Sequence, residues 1–185
     1  MRREDLPDLL RNDGGARHLR KGTRVPDVAL PSTAGGDLSL ARLQGLTVAF
    51  FYPWTGRPGL PNPPDWDDIP GAHGSTPEAE GFRNLELAFE ELGARLVGVS
   101  TQDSGHQREL VDRLRLPFPL LSDAGFALQA ALGLPTFASG GVCYLRRLTL
   151  EIRDGRIERV YYPIADPAAH AREVCAALGM ADRQL

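Results

Sequence analysis

Thr47-Val-Ala-Phe-Phe-Tyr-Pro53, followed by a proline-rich stretch that ends in Gly74-Ser75-Thr76-Pro77-Glu78, decides how this 185-residue chain reads. Thr47 to Tyr52 is a short continuous run of β-branched and aromatic residues. Such a run suits a central strand buried on both faces. Pro53 stops it, and Pro58, Pro61, Pro63, Pro64 and Pro70 follow without periodicity. A loop that long inside a compact domain is functional or disordered. Trp54, Trp66 and Ile69 argue for a packed loop rather than a solvated one. Ser75-Thr-Pro-Glu78 then fits a capping box, with Ser75 as N-cap, Pro77 in the first turn and Glu78 three residues on. Phe82, Leu85, Phe89 and Leu92 recur at helical spacing and Gly93 ends the run, which predicts one helix over 75–92. A buried strand feeding a loop that ends at a helix N-terminus is where α/β proteins place chemistry. Unpaired N–H groups and the helix dipole favour negative charge there.

Upstream, Val25 to Leu40 carries two short apolar segments around Gly35-Gly36-Asp37, which reads as a hairpin, with a short helical turn before Gly45. Residues 1–22 are polar apart from Leu6, Leu9 and Leu10, and read as a weak helix and a mobile lead-in. Downstream, the pattern predicts a buried strand at 95–101, a helix at 104–115, a strand at 118–121 and a short helix at 125–133. Two strands over 142–164 follow, joined at Asp154-Gly155, and a last helix at 167–179. Strand–helix alternation that finishes in a hairpin gives an α/β fold, a mixed central sheet flanked by helices. The boundaries expected are an N-terminal extension at 1–22, one domain at 23–180 and a tail at 181–185.

A net charge of -3 shows no nucleic-acid footprint. The apolar runs are too short to span a membrane. No apolar signal core follows Met1-Arg-Arg-Glu-Asp, so the expected location is cytoplasmic. Cys143 and Cys175 are far apart without metal-ligand spacing and read as reduced, packed thiols. No metal, nucleotide or flavin motif is visible, so no cofactor is expected.

Several motifs together resemble those of the peroxiredoxins, in the bacterioferritin-comigratory-protein branch. They are Phe51-Tyr52-Pro53, Pro70-Gly71, Thr76-Pro-Glu-Ala-Glu-Gly-Phe-Arg83, Val97-Gly-Val-Ser100, Phe118-Pro-Leu-Leu-Ser-Asp123 and Arg147-Leu-Thr-Leu-Glu-Ile-Arg-Asp-Gly155. The resemblance covers roughly residues 23–180 and implies a thioredoxin fold of the peroxiredoxin type, with a long proline-rich active-site loop. It also implies a peroxidatic cysteine at the N-terminus of the first long helix, after a proline and a threonine and beside a distant arginine. Pro53 matches that proline, Thr55 is the candidate threonine and Arg147 matches the arginine. Ser75 stands at the cysteine position, and Glu80 at that of the resolving cysteine found in part of the branch.

Peroxide reduction by that route needs a thiolate that becomes a sulfenic acid. The serine hydroxyl is not ionised near neutrality and has no such step, so the chain is expected to be inactive as a peroxidase. Three readings of Ser75 compete: a plain helix cap, a cysteine replaced by engineering, or a new nucleophile served by His73 with Asp67 and Asp68 on the same loop. Cys143, Leu145 and Arg147 alternate on one expected strand, which puts Cys143 roughly 13 Å from Arg147 and allows a displaced redox thiol. Alternation also turns Arg146 away from the side that Arg147 faces. Ser75, Arg147, Pro53 and Thr55 are thus the candidate catalytic residues. His73, Trp54, Trp66, Glu78 and Glu80 are the candidate binding residues. The expected partners are a small peroxide or anion and a thiol reductant. The Trp54/Trp66 loop reads equally as a lid over the pocket or as a homodimer contact.

Overall fold

The structure, a computed structural model, describes residues 13–182. The helix expected around Leu6, Leu9 and Leu10 lies outside the described residues, as do residues 183–185. Fourteen elements follow one another: β1 (Leu30–Pro31), β2 (Asp37–Leu38), β3 (Leu46–Phe51), α1 (Ser75–Asn84), α2 (Glu86–Glu91), β4 (Ala94–Ser100), α3 (Ser104–Leu114), β5 (Leu120–Ser122), α4 (Ala127–Leu132), β6 (Thr136–Ser139), β7 (Val142–Leu145), β8 (Leu148–Arg153), β9 (Arg156–Tyr161) and α5 (Pro167–Asp182).

The central sheet has the order β5-β4-β3-β8-β9. β3 pairs in parallel with β4 and antiparallel with β8, so the strand that begins the diagnostic stretch sits in the middle. All six of its residues are buried, Thr47 included, as expected of a central strand covered on both faces. One face of the sheet carries Val48, Phe50 and Leu120 against Phe82 of α1, Phe89 of α2, Leu110 of α3 and Val174 of α5. The other carries Phe51, Val99 and Leu150 against Leu30, Leu40 and Leu132. Gly98 lets the first of these faces close. A β-carbon there would lie 2.4 Å from Leu120 Cδ2 and 2.7 Å from Phe50 Cζ. Gly98→Ala is therefore expected to lower unfolding free energy by about 1–3 kcal/mol through overpacking. A urea midpoint unchanged from the parent would contradict this.

Four sequence expectations need correction. The helix of 75–92 is two helices, because the Leu85 backbone leaves helical geometry (φ -110, ψ 9) for one residue and its N–H closes a tighter turn onto Phe82. Residues 13–22 are not a loose lead-in: Leu19 is buried in the core, and His18 Nε2 lies 2.7 Å from the Leu132 carbonyl. The first of the two strands expected over 142–164 is interrupted, since β7 stops at Leu145 and β8 starts at Leu148. β7 pairs instead with β6 through Gly140-Gly141, both at positive φ, in a hairpin absent from the expected element order. Finally, Cys143 is exposed on that hairpin rather than packed, while Cys175 is half-buried against the core. The Asp154-Gly155 turn forms as expected, with both residues at positive φ.

Candidate active site

Three segments converge on Ser75. The chain leaves β3 through Tyr52 and Pro53, both buried, and runs through the 54–74 loop. It enters α1 at Gly74, whose φ of 107 lies where L side chains are strained. A β-carbon on Gly74 would also lie 2.7 Å from Pro167 Cγ, so glycine allows the start of α1 to rest against the start of α5. The N-cap is Gly74 and not Ser75, which corrects the capping-box expectation by one residue. Gly74 caps with backbone alone: its carbonyl accepts from Glu78 N–H at 3.0 Å. The Ser75 side chain is therefore free for another partner.

That partner is Arg147. The break between β7 and β8 turns this arginine under the start of α1, where it is only 6% exposed. Its Nη2 donates to Ser75 Oγ at 3.0 Å and to the His73 carbonyl at 3.2 Å, and its Nη1 donates to Glu78 Oε2. Arg146 turns away and donates to the Thr136 carbonyl at 3.1 Å, with Asp13 at 3.5 Å.

Glu78 is fully buried on the inner face of α1. Burial pushes its carboxyl pKa up to about 7 although Arg147 pulls in the opposite direction. Among the described residues, its Oε1 and the Nε of Arg147 have no hydrogen-bond partner. Burial likewise raises the Tyr52 phenol above its ordinary range, with the Glu78 charge adding to the effect. On the far side of the arginine, the buried ring of His170 lies 2.9 Å from Thr149 Oγ1. Burial and the Arg147 charge lower its pKa to about 4. The composition of this centre is a cation, a carboxyl that titrates near neutrality and a neutral imidazole, all shielded from water. Sequence reading missed His170, for which a lone histidine on a helix carried no signal.

The other sequence candidates divide between this centre and its cover. Thr55 is buried, but its hydroxyl donates to Gln102 Oε1 at 3.0 Å and its carbonyl lies 2.7 Å from His106 Nε2. Its hydrogen-bond partners are thus Gln102 and His106, not Ser75 or Arg147. His73 contributes its carbonyl, while its exposed ring lies 2.8 Å from Asp67 Oδ1. The ring's partner is the loop carboxylate, so the geometry does not make His73 a base for Ser75. Glu80 is half-buried along a groove between α1 and α5, shared with Pro77, Asn84 and Arg172. Trp54 and Trp66 meet edge to face at 5.4 Å, and Trp66 packs on Tyr144 at 4.9 Å and Phe137 at 5.7 Å. This cluster fastens the long loop to the β6–β7 hairpin of the same chain. Further along the loop, Pro70 and Gly71 line a small cleft of about 30 Å³ beside Arg147, with Phe137, Tyr162 and Pro163. Ser75 is left only 3% exposed.

Known proteins share this architecture. Residues 20–176 match the family Redoxin. The structure superposes on peroxidoxin BcpB from Mycobacterium tuberculosis with a TM-score of 0.71 and 30% identity, covering 88% of this chain and 98% of that one. It superposes on the bacterioferritin comigratory protein of Xanthomonas campestris with a TM-score of 0.69 and 26% identity, covering 88% and 96%. Chloroplastic peroxiredoxin Q from Populus jackii is 29% identical over 156 residues, and its counterpart from Oryza sativa subsp. japonica 28%. The chain spans 66% and 64% of those two plant proteins. The family match runs over most of the chain, and the relatives on both counts are peroxiredoxins Q and bacterioferritin comigratory proteins; on that ground the chain belongs to the redoxin family, in its peroxiredoxin Q and bacterioferritin-comigratory-protein branch.

Proposed function

We propose that this chain is a peroxiredoxin-family protein whose peroxidatic position is held by Ser75, and that it binds a small oxygen-bearing or anionic molecule at Ser75 and Arg147 without reducing peroxide. The observation that carries the reading is the Ser75 Oγ contact with Arg147 at 3.0 Å, at the N-terminus of α1. A thiolate there would gain from both the helix N-terminus and the guanidinium. A hydroxyl gains a hydrogen bond and no usable nucleophile. The side chains of Thr55 and His73 are committed to Gln102 and Asp67, so neither serves Ser75 as a base. The hydrolytic alternative therefore has little support.

The test is peroxide consumption by the chain as it stands, with dithiothreitol or thioredoxin as reductant. No turnover is expected. A rate of about 1 s⁻¹ or more, typical of enzymes, would overturn the proposal. Abolition of that rate by Cys143→Ser would then move the redox chemistry to the exposed thiol of the β6–β7 hairpin.

A further inference from the structure

We propose that Arg147 takes up a small monovalent anion together with one proton, the anion entering the cleft that Arg147 helps to line and the proton going to Glu78, its ion-pair partner. The inference rests on the pocket reading above and adds the size of the ligand and the control over its binding. Its first support is electrostatic. Arg147 and Glu78 are a buried pair of opposite charge, so the centre is neutral as it stands. An anion arriving alone would leave a net negative charge out of reach of water, which is costly. With Glu78 protonated, the anion replaces the carboxylate as the counter-charge of Arg147, and the centre is again neutral.

The second support is unused hydrogen-bonding capacity and space. Arg147 Nε and Glu78 Oε1 are buried without hydrogen-bond partners among the described residues. A cleft of about 30 Å³, which Arg147 helps to line, is large enough for one water or one chloride. The third is that, among the described residues, the other titratable groups at this centre are poorly placed to take the proton. Facing Glu78 and Arg147 are Tyr52 from the end of β3 and His170 from α5. The phenol of Tyr52 is pushed up and stays neutral, and His170, lowered to about 4, is already neutral. Glu173 lies 3.6 Å beyond His170 and is largely exposed. Arg146 and Tyr162 also line the cleft, and Asp13 occupies both, as an ion pair with the first and as acceptor from the hydroxyl of the second. Among the described residues at this centre, Glu78 is the group poised near neutrality, at about 7.

The probe is sodium chloride, followed by the ³⁵Cl NMR linewidth of the full chain across pH, with ionic strength held by a bulky organic anion. Excess broadening is expected near pH ~6, with apparent affinity falling about tenfold per pH unit above about 7, as one-proton linkage requires. In weakly buffered wild-type protein near pH ~7.5, chloride addition should take up about one proton per anion bound. Glu78→Gln, a neutral stand-in for the protonated acid, should bind chloride independently of pH, and Arg147→Gln should lose the broadening. Absent broadening, broadening that ignores pH in the wild type, or broadening retained in Arg147→Gln would overturn the proposal. The proton-uptake measurement uses unaltered protein, so it decides even where a variant fails to fold. Peroxide consumption is a separate assay: turnover there would remove the function proposed above while leaving the chloride result legible.

Discussion

In the Ser75→Cys variant, peroxide-dependent oxidation of dithiothreitol is expected to appear at about 1 s⁻¹ or more, where the parent chain shows none. The new sulfur would stand at the first residue of α1, on the path of the Arg147 Nη2 donor that now reaches Ser75 Oγ. Both features favour thiolate over thiol, lowering a pKa that is ordinarily about 8.5. The thiolate attacks one peroxide oxygen and the O–O bond breaks. Sulfur becomes a sulfenic acid, and the leaving oxygen departs as water once protonated. Glu80 offers no second thiol, so dithiothreitol must reduce the sulfenic acid directly, with two of its sulfurs oxidised to a disulfide. Adding Arg147→Ala is expected to cut the gained rate about 10²–10³-fold, the usual cost of removing a donor aimed at developing charge. A folded Ser75→Cys protein that consumes no peroxide would show that the closed loop, not the missing thiol, is what silences the centre. A rate unaffected by Arg147→Ala would remove the arginine from the chemistry.

The parts of this centre differ in how legible they were. β3 could be read because a central strand must be apolar on both faces, and Thr47 to Tyr52 is such a run. Ser75 could be placed because proline, glycine and an acidic third position mark a helix start. Its neighbour Gly74 was the better cap, which the positive φ and the approach of Pro167, from a helix far along the chain, reveal. Arg147 was picked out by the family resemblance and its facing by alternation along a strand, yet the structure puts it in a break between two strands. The facing was right because Arg146 and Arg147 still point apart, and the strand was wrong because Gly140-Gly141 makes a hairpin that ends at Leu145. His170 and the charge state of Glu78 were not readable at all. Burial sets both, and burial of a polar side chain is decided by what packs over it rather than by its own neighbours in sequence.

The stability cost of Arg147→Ala is expected to depend on pH, with urea unfolding as the measurement. At pH ~8 the variant should lose about 3–5 kcal/mol, because removing one member of a buried ion pair strands the other. At pH ~5 the loss should shrink to about 1–2 kcal/mol, the scale of lost hydrogen bonds alone. The sign follows from Glu78. Its folded pKa, about 7, lies above its unfolded value of 4.5, so between these limits the native state holds a proton that the unfolded state has released. Stability from this group is therefore complete below 4.5 and falls as pH rises to about 7, by at most ~1.4 kcal/mol per unit. His170 acts in the opposite direction. Its folded value of about 4 lies below the unfolded 6.5, so its contribution is lost as pH falls between them. In the parent chain the two slopes oppose each other between 4.5 and 6.5, and these groups together leave stability nearly level there. Without Arg147 the balance breaks on both sides. The Glu78 carboxyl loses the attraction that held it down and titrates higher still. His170 loses the repulsion that helped to keep it neutral and titrates closer to its ordinary range. The variant's stability should therefore fall with pH through and beyond neutrality, where the parent has levelled out. An equal loss at both pH values would mean that Glu78 stays ionised throughout, and would separate the buried carboxyl from the pH response of this fold.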